Sequence, residues 1–135
     1  MPQRRVDAFG DDVARARTAI DRVGLGHRWD EPVTALSYGE RRQLELALAL
    51  AAAPRVLLLD EPMAGLSPVE RERLVRTIAE IPREVSILLI EHNMDVVLEL
   101  ADCITVLNYG RVVVEGTPAE IRSDADARKV YLGDA

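Results

Sequence analysis

Lysine is almost absent from this 135-residue chain: Lys129 is the only one, set between Arg128 and Val130. No Gly-Lys pair exists anywhere in the sequence. It therefore holds no phosphate loop of the Gly-Lys-Ser/Thr kind, in which backbone amides and an ammonium cradle the β- and γ-phosphates of a nucleotide. Cysteine occurs once, as Cys103, which excludes an internal disulfide and any cysteine-rich metal site. Its place in the apolar run 103–107 predicts a buried small hydrophobe. The two histidines, His27 and His92, are too few for a histidine-rich metal site. Aromatic residues make up only 4% of the chain, so the core is aliphatic. The longest uncharged apolar run, residues 46–53, is too short to span a bilayer, and the first residues lack the apolar centre of a signal peptide. The expectation is a soluble, cytoplasmic protein. A net charge of −6 with almost all basic charge on arginine argues against a nucleic-acid groove, so no nucleic-acid partner is expected.

What is present is 48% hydrophobic sequence. That is enough for a core, at a length that suits one domain or one substantial piece of a larger one. Residues 1–11 are polar, unpatterned and expected to fray. Val13, Ala16, Ile20 and Val23 recur at helical spacing over residues 12–23, and Gly24 and Gly26 stop that helix. In the loop 27–34, Trp29 reads as a packing anchor, since no second aromatic lies nearby to build a stacking platform. Ser37 and Glu40 make a capping box that opens a helix to about Ala53, where Pro54 ends it. Leucines lie nearly all round this helix after Leu44, which predicts a buried C-terminal half.

Residues 56–59 are a short continuous apolar run, the mark of a buried parallel strand. A second capping box, Ser67 to Glu70 with Pro68 at the favoured first position, opens a helix to about Glu80 that turns Leu74, Val75, Ile78 and Ile81 inward. Residues 86–90 read as another buried strand. Asn93 caps a helix to Ala101, with Val96, Val97 and Leu100 inward. Residues 103–107 and 111–115 flank an Asn108-Tyr109-Gly110 hairpin turn. Thr117 and Glu120 make a third capping box, and a last helical turn is expected over residues 127–132. Strands separated by single helices imply right-handed crossovers and a mainly parallel sheet. Functional groups then gather at the carboxyl ends of the strands, where Asp60, Glu61 and His92 lie.

Each of these candidates has two readings. Adjacent acids after an apolar strand are costly unless they meet a cation or hydrogen-bond donors. Either Asp60 holds Mg²⁺ while Glu61 polarises a water, or the pair caps the next turn. Ser37 and Gly39 offer a hydroxyl, free amides and the positive end of a helix, which suits a phosphate. The other reading is an ordinary N-cap, and Glu40 in the first turn competes with a phosphate. His92 either contacts a γ-phosphate or is structural.

Taken in order and spacing, LSYGE at 36–40, VLLLDEP at 56–62, AGLS at 64–67 and IEH at 90–92 resemble the ATP-binding-cassette (ABC) ATPases. Residues 36–40 look like the family's signature motif, usually Leu-Ser-Gly-Gly-Gln. Residues 56–61 look like Walker B, residues 64–67 like the D-loop, and His92 like the switch histidine. The resemblance covers about residues 12–135. It is closest to the branched-chain amino-acid transport ATPases, through IEHNM, NYGRVVVEGTPAEIR and the terminal VYLG, and urea-type importers are similar enough to stay open. It implies an α/β fold, the C-terminal part of a P-loop NTPase, mainly parallel strands with flanking helices and a C-terminal β-hairpin. Residues 1–35 would be a remnant of the helical subdomain, and residues 36–135 the signature helix plus the Walker B half of the core.

The resemblance also implies ATP and Mg²⁺ as cofactors. Asp60 would be the metal partner, Glu61 and His92 the catalytic groups, and Ser37, Tyr38, Gly39 and Glu40 the nucleotide-binding set. Expected partners are a second ATPase subunit, in a homo- or heterodimer, and an integral membrane permease, with the chain peripheral on the inner face of the cell membrane. In this family two cassettes enclose two ATP molecules head to tail, the signature of one facing Walker A and B of the other. The sequence departs from the pattern at Tyr38 (for glycine), Glu40 (for glutamine) and Ser67 (for the D-loop aspartate), and it lacks Walker A, the adenine-stacking aromatic and the Q-loop.

Without a cradle the chain alone is expected to show no appreciable ATPase activity, and its strands to expose an edge and an apolar face. The function so read is the C-terminal portion of an ATP-binding, ATP-hydrolysing subunit energising an importer of branched-chain amino acids. An alternative is a non-catalytic interaction module that supplies the signature face to a full-length cassette. A DNA-repair or chromosome-structure ATPase is a third reading, disfavoured by the absence of long heptads and basic character.

Overall fold

The structure, a computed structural model, describes residues 10–132. The unpatterned start expected over residues 1–11 falls, through residue 9, outside the described residues. Among the described residues six helices and four strands follow the expected order: α1 Gly10–Arg22, α2 Tyr38–Ala51, β1 Val56–Asp60, α3 Pro68–Ala79, β2 Ser86–Ile90, α4 Met94–Leu100, β3 Ile104–Asn108, β4 Arg111–Gly116, α5 Pro118–Ser123 and α6 Ala125–Leu132. Two short 3-10 turns, Gly26–Arg28 and Val33–Ala35, occupy the connection between α1 and α2.

The helix starts are chemically specified. At α2, α3 and α5 the cap residue (Ser37, Ser67, Thr117) accepts from the amide of the glutamate three positions on, and that glutamate (Glu40, Glu70, Glu120) reaches back to the cap amide. Two orphan donors are satisfied in each exchange. Asn93 accepts from the amides of Asp95 and Val96 to open α4. Asp124, which ends α5, accepts from the amide of Ala127 at 2.7 Å, so α6 begins at once, two residues earlier than the turn expected at 127. At the other end of α2, Ala53 adopts φ 50°, the left-handed geometry that usually calls for glycine, and Pro54 prevents continuation.

The chain divides into two compact units. One comprises residues 10–57 and 63–88. In it α1 lies against α2, burying Ala19, Val23, Leu25, Leu46 and Ala47, and α3 buries Leu74, Val75 and Ile78. The side chains expected inward on α3, Leu74 to Ile81, are all buried. Leu48 is exposed, so the apolar stripe of α2 is narrower than its leucine count suggests; Leu44 and Leu50 are half-buried.

The other unit comprises residues 58–62 and 89–132. Its core is Ile104, Val106, Ile121 and Ala127, with Met94, Val97, Leu98, Ala101, Val114 and Val130 packed around it. Strands β3 and β4 pair antiparallel, with a register irregularity between Val106 and Leu107. Tyr109 and Gly110 both take positive φ, 46° and 74°, which matches the tight hairpin turn whose twist suits the flanking strands. Cys103 is exposed, against the expectation of burial. It precedes β3 rather than lying in it, so the inward alternation begins only at Ile104.

Strands β1 and β2 are neighbours in a two-stranded sheet. The Ser86 amide donates to the Arg55 carbonyl where both strands begin, and the Glu61 amide donates to the Ile90 carbonyl where both end, each at 2.9 Å. The pair therefore runs parallel. Full burial of these strands was the expectation, and it holds for Leu57 alone; Val56, Leu58, Leu88 and Ile90 are exposed. A continuous apolar run signals a strand meant to be covered on both faces, and here an apolar face is open, as the expectation of an exposed apolar face had it. The fold is α/β, with one parallel pair and one antiparallel hairpin among the described residues.

Candidate functional site

The acids at the end of β1 and the histidine after β2 come together within a single unit. Asp60 is the last residue of β1 and is exposed. Glu61 turns out of the strand with φ 43°, a conformation that costs a non-glycine residue on the order of 1–2 kcal/mol. The turn sets a carboxylate oxygen of Glu61 3.5 Å from His92 Nδ1. A third acid, which the sequence reading placed only as the middle residue of IEH and gave no role, completes the group. The Glu91 side chain is only 1% exposed and lies 4.0 Å from the same nitrogen. It accepts from the backbone amides of His92 at 3.2 Å and Asn93 at 3.4 Å. Glu91 thus fixes the backbone that carries His92, while Glu61 faces its ring. The signal for Glu91 was an acid directly after an apolar strand, the same signal that marked Asp60 and Glu61.

Among the described residues no group of three or more His, Cys, Asp or Glu side chains is placed to hold a metal. Asp60 and Glu61 supply hard carboxylate oxygens without a closed cage. This suits Mg²⁺, which is commonly held by one or two carboxylates together with substrate phosphates.

The start of α2, in the other unit, is more heavily tied down than its sequence suggested. Ser37 and Glu40 form their capping box. Glu40 also accepts from Arg28 Nε at 3.1 Å, while Arg28 Nη1 holds both oxygens of Glu31 at 2.7 Å. The Ser37 amide and then Arg28 hold the Glu40 carboxyl below the usual carboxylate range, so its charge is already partnered within the chain. Arg28 lay twelve residues away in a loop, with no local pattern to mark it.

Tyr38, standing where a glycine is usual, has a place of its own. Its hydroxyl donates to the Ala64 carbonyl at 3.3 Å and accepts from Arg42 Nε at 3.2 Å. Its ring lies over Gly65, whose φ is 74° and where an added Cβ would come within 3.2 Å of the ring. Gly39 is buried, and a Cβ there would collide with the carboxylate of Glu70. Ser67 caps α3: its amide donates to Glu70 Oε2 at 2.9 Å and its hydroxyl to the same oxygen at 2.6 Å. The start of α2 and the 63–67 loop are therefore in direct contact, whereas the sequence reading treated them as separate motifs.

The strand-end acids and the α/β order define a nucleotide-hydrolase type of architecture, and comparison with known proteins makes the class specific. Residues 2–64 match the ABC transporter family, and residues 111–135 match the branched-chain amino acid ATP-binding cassette transporter family. The chain belongs to the ABC transporter ATPases. Within them it is 42% identical over 130 residues to the high-affinity branched-chain amino acid transport ATP-binding protein LivG of Escherichia coli K12, covering 95% of this chain and 51% of LivG. It is 42% identical over 118 residues to BraF of Pseudomonas aeruginosa, a protein of the same description, covering 86% of this chain and 46% of BraF. The ADP conformation of MJ1267, an ATP-binding cassette of an ABC transporter, superposes with a TM-score of 0.80 at 26% identity, over 98% of this chain and 52% of that one. The chain cbiO1 from Clostridium perfringens, part of the ABC transporter complex cbiONQ, gives 0.76 at 32% identity over 90% and 49%. The chain spans about half the length of the relatives it matches.

Proposed function

We propose that this chain is a portion of the ATP-binding subunit of an importer of branched-chain amino acids. It contributes the carboxylate side of one ATP site and the signature face of another. The observation that carries the reading is the 3.5 Å approach of Glu61 to His92 at the ends of two parallel strands, directly after Asp60. In this reading Asp60 holds Mg²⁺, which with ATP bound offsets charge on the phosphoryl oxygens. Glu61 takes a proton from the attacking water, and His92 orients Glu61 and meets the γ-phosphate. Ser37, Tyr38, Gly39 and Glu40 face the nucleotide held by a second ATPase subunit. The permease of the importer is the membrane partner, and the chain sits on the cytoplasmic face of the membrane. Among the described residues no helix is long and apolar enough to cross a membrane.

The test is reconstitution. The purified chain alone is expected to show no ATP turnover, because it has no Gly-Lys-Ser/Thr cradle and positioning supplies most of phosphoryl-transfer catalysis. Addition of a separate polypeptide carrying the phosphate-loop half of a LivG-type cassette should produce turnover. Glu61→Gln should then lower it by about 100-fold or more. Turnover indifferent to Glu61→Gln would sink the assignment of Glu61.

A second reading is that the chain supplies only its signature face, which the contact of the 36–40 segment with the 63–67 loop supports. In that case a full-length cassette would turn over faster with the chain present, Ser37→Ala would abolish the gain, and Glu61→Gln would leave it intact.

A further inference from the structure

Glu70 does more than a capping glutamate needs to. The α3 box is complete within residues 67–70: the Ser67 hydroxyl accepts from the Glu70 amide, and the Glu70 carboxylate takes both the amide and the hydroxyl of Ser67. Yet the carboxylate also occupies the space beside Gly39 that any side chain would need. The Gly39 amide adds to the donors that hold this carboxyl below its ordinary value, after those of Ser67. Gly39 is the second residue of α2, whose amide has no partner within its own helix. A parallel bridge runs alongside, from the Tyr38 hydroxyl to the Ala64 carbonyl and from the Tyr38 ring to Gly65. Helix capping explains the Ser67 bonds. It does not explain why a buried glycine two residues into another helix is shaped around the same carboxylate.

We propose that Glu70 is a positioning residue: its carboxylate locks the 36–40 segment to the 63–67 loop, so that Ser37 and Gly39 are presented with that loop as one rigid element. This rests on the reading that the 36–40 segment faces a nucleotide held by a second subunit. The lock has two parts, the Tyr38 contacts with Ala64 and Gly65 and the Glu70 carboxylate beside Gly39. Loss of Glu70 leaves α2 attached through Tyr38 while freeing the Gly39 peptide to shift.

The experiment mixes this chain with a full-length cassette bearing its own Gly-Lys-Ser/Thr loop and measures kcat and KM for ATP. In parallel, the Gly39 amide is followed by ¹H–¹⁵N NMR and hydrogen exchange. Wild-type chain should stimulate turnover. Glu70→Ala should reduce the stimulated kcat by about 10- to 100-fold with KM little changed, as expected for a misplaced rather than a missing ligand group. It should also shift the Gly39 resonance and speed its exchange, leaving the Glu40 amide, held by Ser37, unmoved. Glu70→Gln keeps an acceptor oxygen and a capping box and should restore most of both signals, which guards against simple misfolding of the alanine variant. Stimulation that Glu70→Ala leaves intact, or a Gly39 amide indifferent to it, would overturn the role of Glu70 alone. No stimulation by wild-type chain would instead overturn the nucleotide-facing reading of residues 36–40.

Discussion

His92 Nδ1 lies 3.5 Å from a carboxylate oxygen of Glu61, although the two residues follow different strands. The approach depends on the parallel pairing of β1 with β2 and on the left-handed turn at Glu61. The bond from the Glu61 amide to the Ile90 carbonyl fastens the turned residue to the end of the neighbouring strand. A strained residue at a candidate site is informative because something must hold it there.

That strain has a measurable size. Glu61→Gly should be more stable than Glu61→Ala by about 1 kcal/mol, since glycine enters the left-handed region without the Cβ penalty. Ala53→Gly, at the end of α2, should gain a similar amount over wild type. Urea unfolding of the variants gives the difference directly. Equal midpoints for the two Glu61 variants would mean that the turn stores no strain.

The three capping glutamates set a pH dependence. The carboxyl groups of Glu40, Glu70 and Glu120 are all held below their ordinary values. The Ser37 amide and Arg28 act on Glu40, the Ser67 hydroxyl and amide on Glu70, and the Thr117 amide and hydroxyl on Glu120. Folding therefore favours the ionised form of each. The stabilisation is fully present above the unfolded-state pKa and is lost as pH falls through the lowered folded-state values. The urea midpoint should hold near neutrality and decline on acidification, and replacing all three by glutamine should flatten that decline. An unchanged slope in the triple variant would exclude these groups as its source.

Ile121 is wholly buried and sits among Ile104, Val106 and Ala127. Ile121→Ala should cost about 2–5 kcal/mol, combining lost transfer energy with a cavity. The loss should appear as lowered amide protection in β3, β4 and α5. A cost below about 1 kcal/mol would show that the unit collapses around the gap.

Leu58 and Ile90 leave 69% and 55% of their surfaces in water. Strand faces of this kind drive association between copies. The double variant Leu58→Thr/Ile90→Thr, which keeps β-branched or β-compatible side chains, should lower the weight-average mass in sedimentation at high concentration without loss of secondary structure. An unchanged mass would remove these side chains as the cause.

Much of the fold was legible because it is locally encoded. The three capping boxes announced α2, α3 and α5. The helical period of Leu74, Val75 and Ile78 announced the inner face of α3, and Tyr109-Gly110 announced the hairpin. The exposed strand face was not legible from residues 56–59 or 86–90 themselves, because an apolar run is written for a covering layer whether or not that layer is present. Cys103 was misjudged because apolar neighbours in sequence do not fix where a strand begins. At the candidate site, Asp60, Glu61 and His92 could be found from strand ends. Arg28 could not be given its partner Glu40, nor Glu70 its place beside Gly39, since contacts between segments distant in sequence leave no periodic trace.

The capping boxes also bear on the order in which this molecule can take shape. Each is completed by residues three positions apart, so it can close as soon as a single short stretch has left the ribosome. The pairing of β1 with β2 must wait for the chain to pass through α3. Helix nucleation is the costly step, and local contacts form ahead of distant ones. An isolated peptide of residues 65–81 should accordingly show nascent helix by circular dichroism, reduced by Ser67→Ala. A random-coil spectrum for both would place the start of α3 after strand pairing. The sequence thus sets the direction of its helices early and leaves only the sheet to be decided by what arrives later.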